Sequence, residues 1–364
     1  VTFGIRKPLP KPAPVVPFER WNLVDINALA APLAPVPWVC QPFGLAPGFI
    51  TLVAGYGYSG KTMALQSLAV SVASGCSVWG VWSCRKGRVL HLDYEQGLRL
   101  NQDRYQRLAR GMGFELRDLP VGTLTVACLP RVYLDENGLQ DELVKLVEGY
   151  TLVIVDSLRA AFPHADENSS EVRSYLDILS RVSERTGATF IVIHHARKPN
   201  GPNGGGAKYA IRGSSALFDA GQSVFIFEGE KNEPTRVVHD KDRIRGKTIE
   251  DFGLVTEDIA GETGPNHALI VRHLDGEQLE QGSSNRSQQA ETKAVREVAK
   301  KIVTTLIENK GFRGTRTELR AVIRAKTALF DSAWAQLLNM GAIVRSGSSR
   351  DPVWMVNEHA EPSR

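Results

Sequence analysis

The eight residues "GYGYSGKT" (55–62) constrain this 364-residue chain more than any other stretch. They match G-x-x-x-x-G-K-[ST] and stand between an apolar run, "FITLVAG" (49–55), and a helical pattern near 61–74. That is the context a phosphate-gripping loop requires. Glycines let backbone N–H groups wrap phosphate oxygens, and a helix N-terminus adds partial positive charge. Gly55, Gly57, Ser59, Gly60, Lys61, Thr62 and Met63 are therefore the candidate nucleotide-binding segment. Lys61 is expected against the terminal phosphates of ATP and the Thr62 hydroxyl on Mg2+. Pumps, switches, kinases and DNA motors all use such a loop, so the rest of the chain must decide between them.

From residue 48 onward, short apolar runs alternate with amphipathic patterns. Strands are expected at 49–55, 88–95, 122–129, 151–157, 188–195, 222–229 and 235–243, with helices near 61–74, 97–111, 138–148 and 169–186. Continuous apolar strands separated by helices predict an α/β fold, a mainly parallel sheet covered on both faces. The last strands follow one another without helices, which predicts antiparallel hairpins at one end. A hydrophobic content of 42% and a charged content of 23% suit one large core and a smaller second domain. The expected division is a proline-rich arm with a possible subunit-docking helix (1–34), an ATPase domain (35–273), a polar linker (274–290), a small domain (291–358) and a tail (359–364).

Five residues bear on hydrolysis. Asp156 ends the run "TLVIVDS", where a magnesium-linked acid belongs in a P-loop protein. Glu95, in "HLDYEQG", stands where a carboxylate can take a proton from the attacking water; Asp93, two residues earlier on the same strand face, is its rival. His194 and His195, in "FIVIHHARK", occupy the mouth of another strand, where a polar side chain can sense the terminal phosphate. A glycine-rich basic loop follows (197–215), carrying Arg197, Lys198, Lys208 and Arg212 as candidate contacts to a polyanion. Further on, Lys241 and Arg243 alternate along a late strand, an arrangement suited to an arginine finger supplied to a neighbouring subunit or to a charged edge strand.

This set, Gly55 to Thr62, Glu95, Asp156, His194, His195, "IRGSSALFDAGQS" (211–223) and Lys241-Asp-Arg243, resembles the RecA-type ATPase core of hexameric replicative helicases, within them the plasmid RepA-like helicases. The likeness covers roughly residues 35–255. It implies a RecA-like P-loop NTPase fold, six subunits in a ring, nucleotide at each subunit boundary and single-stranded DNA in the channel. It also implies Glu95 as catalytic base, Lys61 and Thr62 on ATP and magnesium, Asp156 as the second acid, and the 197–212 loop facing the channel. Gln222 stands where the plasmid helicases place their finger, which moves that role to Lys241 and Arg243, as in the larger replicative helicases.

The tail is read from its residues alone. A long helix (about 291–309), a short one begun by "TRTEL" (315–319), a third from Thr327 to Met340 and a hairpin over 342–356 describe a winged helix-turn-helix. Residues 290–358 hold 12 Lys and Arg against 7 Asp and Glu, so the basic excess of the chain, +4 overall, lies here. Lys326, Arg345 and Arg350 are its candidate DNA contacts, and Leu329, Ala333, Trp334, Leu337 and Leu338 its expected core stripe. The uncharged runs 26–60 and 62–84 are broken by Gly, Pro, Ser and Gln, so no membrane span is expected, and nothing resembles an export signal. The four cysteines match no zinc or redox spacing, consistent with a cytoplasmic protein. The expectation is an ATP-dependent, ring-forming DNA helicase or translocase of a plasmid, phage or other mobile element. The alternative is a DNA-binding ATPase that loads, mediates recombination or regulates without unwinding. A small-molecule kinase fits less well, since no lid-like arginine cluster is evident.

Overall fold

Apolar runs that end in glycine, an acid or histidine form the strands at the centre of this fold. The protein is described from a computed structural model, over residues 23–136, 138–164, 171–195, 215–229, 233–259, 267–348 and 352–357. Residues 1–37 form a unit by themselves. Its described part holds one short helix, α1 (Ile26–Ala30), capped by Asp25 and exposed throughout.

In the second unit, from Trp38, nine strands join in one sheet: β1 (Ile50–Gly55), β2 (Val89–Asp93), β3 (Leu124–Cys128), β4 (Leu152–Asp156), β5 (Thr189–His195), β6 (Ser223–Glu228), β7 (Thr235–Asp242), β8 (Phe252–Asp258) and β9 (Leu269–Leu274). Their order is β3-β2-β4-β5-β1-β6-β7-β8-β9. The first six are parallel to their neighbours, and β6 to β9 run antiparallel. This is the RecA-like P-loop arrangement, with the expected antiparallel end. Beyond the strand expected at 235–243, the structure adds β8 and β9. Both mix buried with exposed positions, so neither offers the continuous apolar run that marks the central strands.

Both faces of the parallel strands are covered, which is why their sequences are apolar at successive positions. Val53, Ile154, Ile191 and Ile193 face α2 (Lys61–Ser74) and α3 (Leu98–Gly111). Leu52, Val153, Val155, Phe190 and Val192 face the opposite core, shared with α4 (Leu139–Val147), α5 (Leu158–Ala161), α6 (Glu171–Thr186) and α7 (Ser215–Ala220). Helix α2 carries no charge after Lys61 because it is buried from Ala64 through Ala73. Among the described residues no helix is long and apolar enough to cross a membrane.

The stretch 274–290, expected as a linker, is helical instead: α8 runs from Gly276 to Glu308. Its start is set by a reciprocal capping box, in which Asp275 accepts from Gln278 N at 2.8 Å and Gln278 accepts from Asp275 N at 3.1 Å. That start signal outweighs the weak helix propensity of the Gly and Ser residues that suggested a linker. Helix α8 leads into a small extra domain with α9 (Arg316–Ile323), α10 (Thr327–Asn339) and a three-stranded antiparallel sheet of β10 (Phe312–Arg313), β11 (Ile343–Gly347) and β12 (Pro352–Val356), ordered β10-β12-β11. The short helix expected to begin at "TRTEL" is α9, which Thr315 and Glu318 cap reciprocally. The buried stripe of α10 is Phe330, Ala333, Trp334 and Leu337, whereas Leu338, expected in the core, is 42% exposed. At 3.6 residues per turn, Phe330 lies three positions before Ala333 and four before Trp334, and Leu338 falls off that face.

Candidate active site

The carboxyl ends of β2, β4, β5 and β1 meet along one rim, and the register fixes who meets whom. Asp93 is level with Asp156, and Gly55 with His195. A ligand crevice outside the carboxyl ends of strands is the general rule for open α/β sheets.

The P-loop leaves β1 at Gly55, where a Cβ would meet the Phe227 carbonyl oxygen at 2.4 Å, so the close approach of β6 admits only glycine. It enters α2 through Gly60, whose φ of 78° suits glycine again. At Gly57 an added Cβ would meet nothing within 4 Å, leaving the loop open on that side. Lys61 is buried, and its ammonium donates to the carbonyls of Gly55 (2.9 Å) and Tyr56 (2.7 Å) and to Ser59 Oγ (3.1 Å). Burial brings its pKa down to about 8, against the opposing pull of Asp156 and Glu95. Thr62 Oγ1 donates to Asp156 Oδ2 at 2.8 Å. The Asp156 carboxyl is fully buried and pushed up to about 6 by that burial, with the Thr62 bond opposing the rise. The Asp156–Ser157 peptide is cis.

Glu95 lies two residues beyond β2 and reaches across to β4 and β5. Its Oε1 accepts from Ser157 Oγ at 2.5 Å and from His195 Nε2 at 3.0 Å, while Oε2 lies 3.2 Å from the same nitrogen. The His195 bond, followed by that of Ser157, draws the Glu95 pKa below the usual carboxylate value in spite of burial. Oxygen and nitrogen atoms of Glu95, Asp156 and His195 all fall within 4.8 Å of one another. Asp93, the rival base, is committed elsewhere. Its Oδ1 accepts from the backbone N–H groups of Glu95 (2.9 Å) and Gln96 (2.8 Å), and its Oδ2 from Asn101 Nδ2 (2.8 Å). Asn101 in turn accepts from Gln66 of α2 at 3.0 Å, tying this turn to the P-loop helix.

The two histidines part company. His195 meets Glu95, whereas His194 is buried beside Ala54 in the sheet, its Nδ1 without a hydrogen-bond partner among the described residues. Burial, reinforced by His195 and Lys61, brings the His194 pKa down to about 4, so it is neutral near pH 7.

Lys241 and Arg243 lie at the other end of the sheet. β7 runs antiparallel to β6, Asp242 is level with Ser223, and Ser223 is level with Thr51 near the start of β1. Four residues of strand, about 13 Å, separate that level from Gly55. These cations therefore do not line their own chain's P-loop. Lys241 Nζ donates to the carbonyls of Phe218 (2.5 Å) and Asp219 (3.1 Å), in the last turn of α7. Arg243, expected on the strand, stands in the turn just past its end, because Asp242 accepts from the N–H groups of Ile244 and Arg245 and so terminates β7. Gln222 is structural: its Oε1 accepts from Ile50 N at 2.9 Å and its carbonyl from Arg243 N at 2.8 Å.

Beside the P-loop a cavity of about 440 Å3 opens between Tyr58, Gly60 and Met63 on one side and Phe227, Thr235 and Leu254 on the other, with Arg107 and Asp258 also in its lining. Its size is that of a small-molecule site. Of the expected polyanion contacts, Arg197, Lys198, Lys208, Arg212 and Arg350 lie outside the described residues. Lys326 and Arg345 are exposed on the small domain.

The model of the AAA domain family matches residues 14–201, just over half of the chain. The chain belongs to that family. It is an ATPase of the P-loop class, so its P-loop serves a nucleotide, commonly with Mg2+. The donor set of this ATPase fits the cation: Asp156 Oδ1 is buried without a partner among the described residues, and the adjacent Thr62 hydroxyl adds a second hard oxygen. Sequence reasoning passed over Ser157 and Asn101. Ser157 stands directly after the acid in "VDS", but its partner is 62 positions away, a distance that no local pattern spans.

Proposed function

We propose that this ATPase is a ring-forming, DNA-dependent helicase or translocase serving a plasmid, phage or other mobile element. The observation that carries the reading is the hydrogen bond between Glu95 and His195. His195 stands two positions before the glycine-rich basic segment that begins at Arg197, so a group placed to activate water and the root of a polyanion-gripping loop share one contact. The mobile-element setting rests on the resemblance.

In the proposed mechanism Glu95 accepts a proton from the attacking water. Lys61 stands against the terminal phosphates, and Thr62 and Asp156 hold the magnesium, which neutralises developing charge when bound. His195 registers any movement of Glu95 and passes it to the loop, which moves its grip on single-stranded DNA; His194 supports this in a neutral, buried position. Lys241 and Arg243, remote from their own P-loop, act on the nucleotide of the next subunit of a homo-hexamer. The small domain, read as a winged helix, presents Lys326 and Arg345 to DNA.

Glu95→Gln removes the base while keeping shape. It should bind ATP as wild type does and hydrolyse it at least ~100-fold more slowly. Normal turnover by this variant would remove Glu95 from the role. The wild-type protein should hydrolyse ATP faster with single-stranded DNA and displace a paired strand. DNA-stimulated hydrolysis without displacement would replace the helicase by a loader, mediator or regulator.

A further inference from the structure

We infer that Ser157 is a positioning residue for hydrolysis, fixing Glu95 through one carboxylate oxygen so that the other is left to take the proton. The inference rests on the reading of Glu95 as the base. Serine directly before a short helix, here α5, is ordinarily explained as its cap. In this chain that explanation fails, because the Ser157 side chain makes no capping bond; the first turn is closed by its backbone carbonyl, which accepts from Ala161 N at 2.9 Å. Its hydroxyl, in a residue only 1% exposed, is given to Glu95 Oε1 instead.

The two carboxylate oxygens are thereby made unequal. Oε1 accepts from two donors, Ser157 and His195, while among the described residues Oε2 has only the longer approach of His195 at 3.2 Å. A carboxylate on a free side chain would rotate and present either oxygen. One held by a buried hydroxyl keeps a single orientation, and misplacing a reacting group by about 1 Å costs ~100-fold in rate. The backbone supports the same geometry: Tyr94 N donates to the Asp156 carbonyl at 2.7 Å, carrying the pairing of β2 and β4 beyond the level of Asp93 and Asp156, so Ser157 arrives beside Glu95.

The test uses the full chain and four variants: Ser157→Ala, Ser157→Thr, Glu95→Gln and the double variant Ser157→Ala/Glu95→Gln. Binding of a fluorescent ATP analogue and steady-state kcat and KM are measured for each. Ser157→Ala should lower kcat by ~10–100-fold, with KM and analogue affinity within about 3-fold of wild type. Ser157→Thr, which keeps the hydroxyl, should recover most of that loss. Because Ser157 acts through Glu95, adding Ser157→Ala to Glu95→Gln should reduce the residual rate no further. A kcat within about 2-fold of wild type in Ser157→Ala would overturn the inference. So would a further fall in the double variant or a loss of analogue binding, either of which would mark Ser157 as merely structural. Full activity in Glu95→Gln is a separate outcome that removes the base itself, and the inference with it.

Discussion

His239 shows at the residue scale how burial sets charge in this fold. Its Nδ1 accepts from Ile249 N at 3.1 Å, its Nε2 lies 3.1 Å from Ser223 Oγ, and its ring stacks on Phe225 with centroids 4.1 Å apart. An accepting Nδ1 requires the neutral ring. Burial, with Arg245 adding to it and Asp242 opposing, brings the pKa down to about 4 from 6.5. The folded form therefore resists a proton that the unfolded chain accepts. The stability this contributes is complete above pH 6.5 and is lost as pH falls towards 4, on the order of 3 kcal/mol in full. Urea midpoints at pH 7 and pH 5 should fall further for wild type than for His239→Gln. Equal falls would contradict the assignment. The same logic separates the site carboxylates. Asp93 is spent on holding the turn that carries Glu95, with its oxygens taken by the N–H groups of Glu95 and Gln96 and by Asn101, which supports the proposal of Glu95 as the base.

Single elements carry most of what was legible beforehand. The strand ahead of the P-loop and the helix after it were readable because the motif fixes both boundaries, and α2 covers the expected 61–74. The acids and histidines were legible as strand-end residues, since an apolar run ending in a polar one marks the rim of a parallel sheet. What stayed hidden depends on contacts between elements. The Glu95–Ser157 bond spans 62 positions, and β9 shows only in its pairing with β8. Gly111 belongs to the same class. It ends α3 so close to β9 that a Cβ would come within 1.8 Å of the Leu269 carbonyl oxygen. Gly111→Ala must push helix and strand apart and should cost about 3 kcal/mol, read as a lower urea midpoint with unchanged slope. An unchanged midpoint would mean that the helix end yields freely. In the 274–290 stretch the Asp275–Gln278 cap starts a helix where the Gly and Ser composition alone suggests a linker.

For the whole molecule, the decisive geometry is the separation of the P-loop from Lys241 and Arg243 at opposite ends of the strands. In the proposed reading, the two halves of the catalytic set complete one another between subunits, as in a head-to-tail ring. The central claim is that hydrolysis occurs at such a boundary. It is tested most directly by mixing two inactive proteins, Glu95→Gln and the Lys241→Ala/Arg243→Ala double variant, before measuring DNA-stimulated ATP hydrolysis. Each supplies what the other lacks, so random co-assembly should restore up to about a quarter of the wild-type rate. A mixture as inactive as its components, or a double variant that hydrolyses ATP normally on its own, would contradict the account.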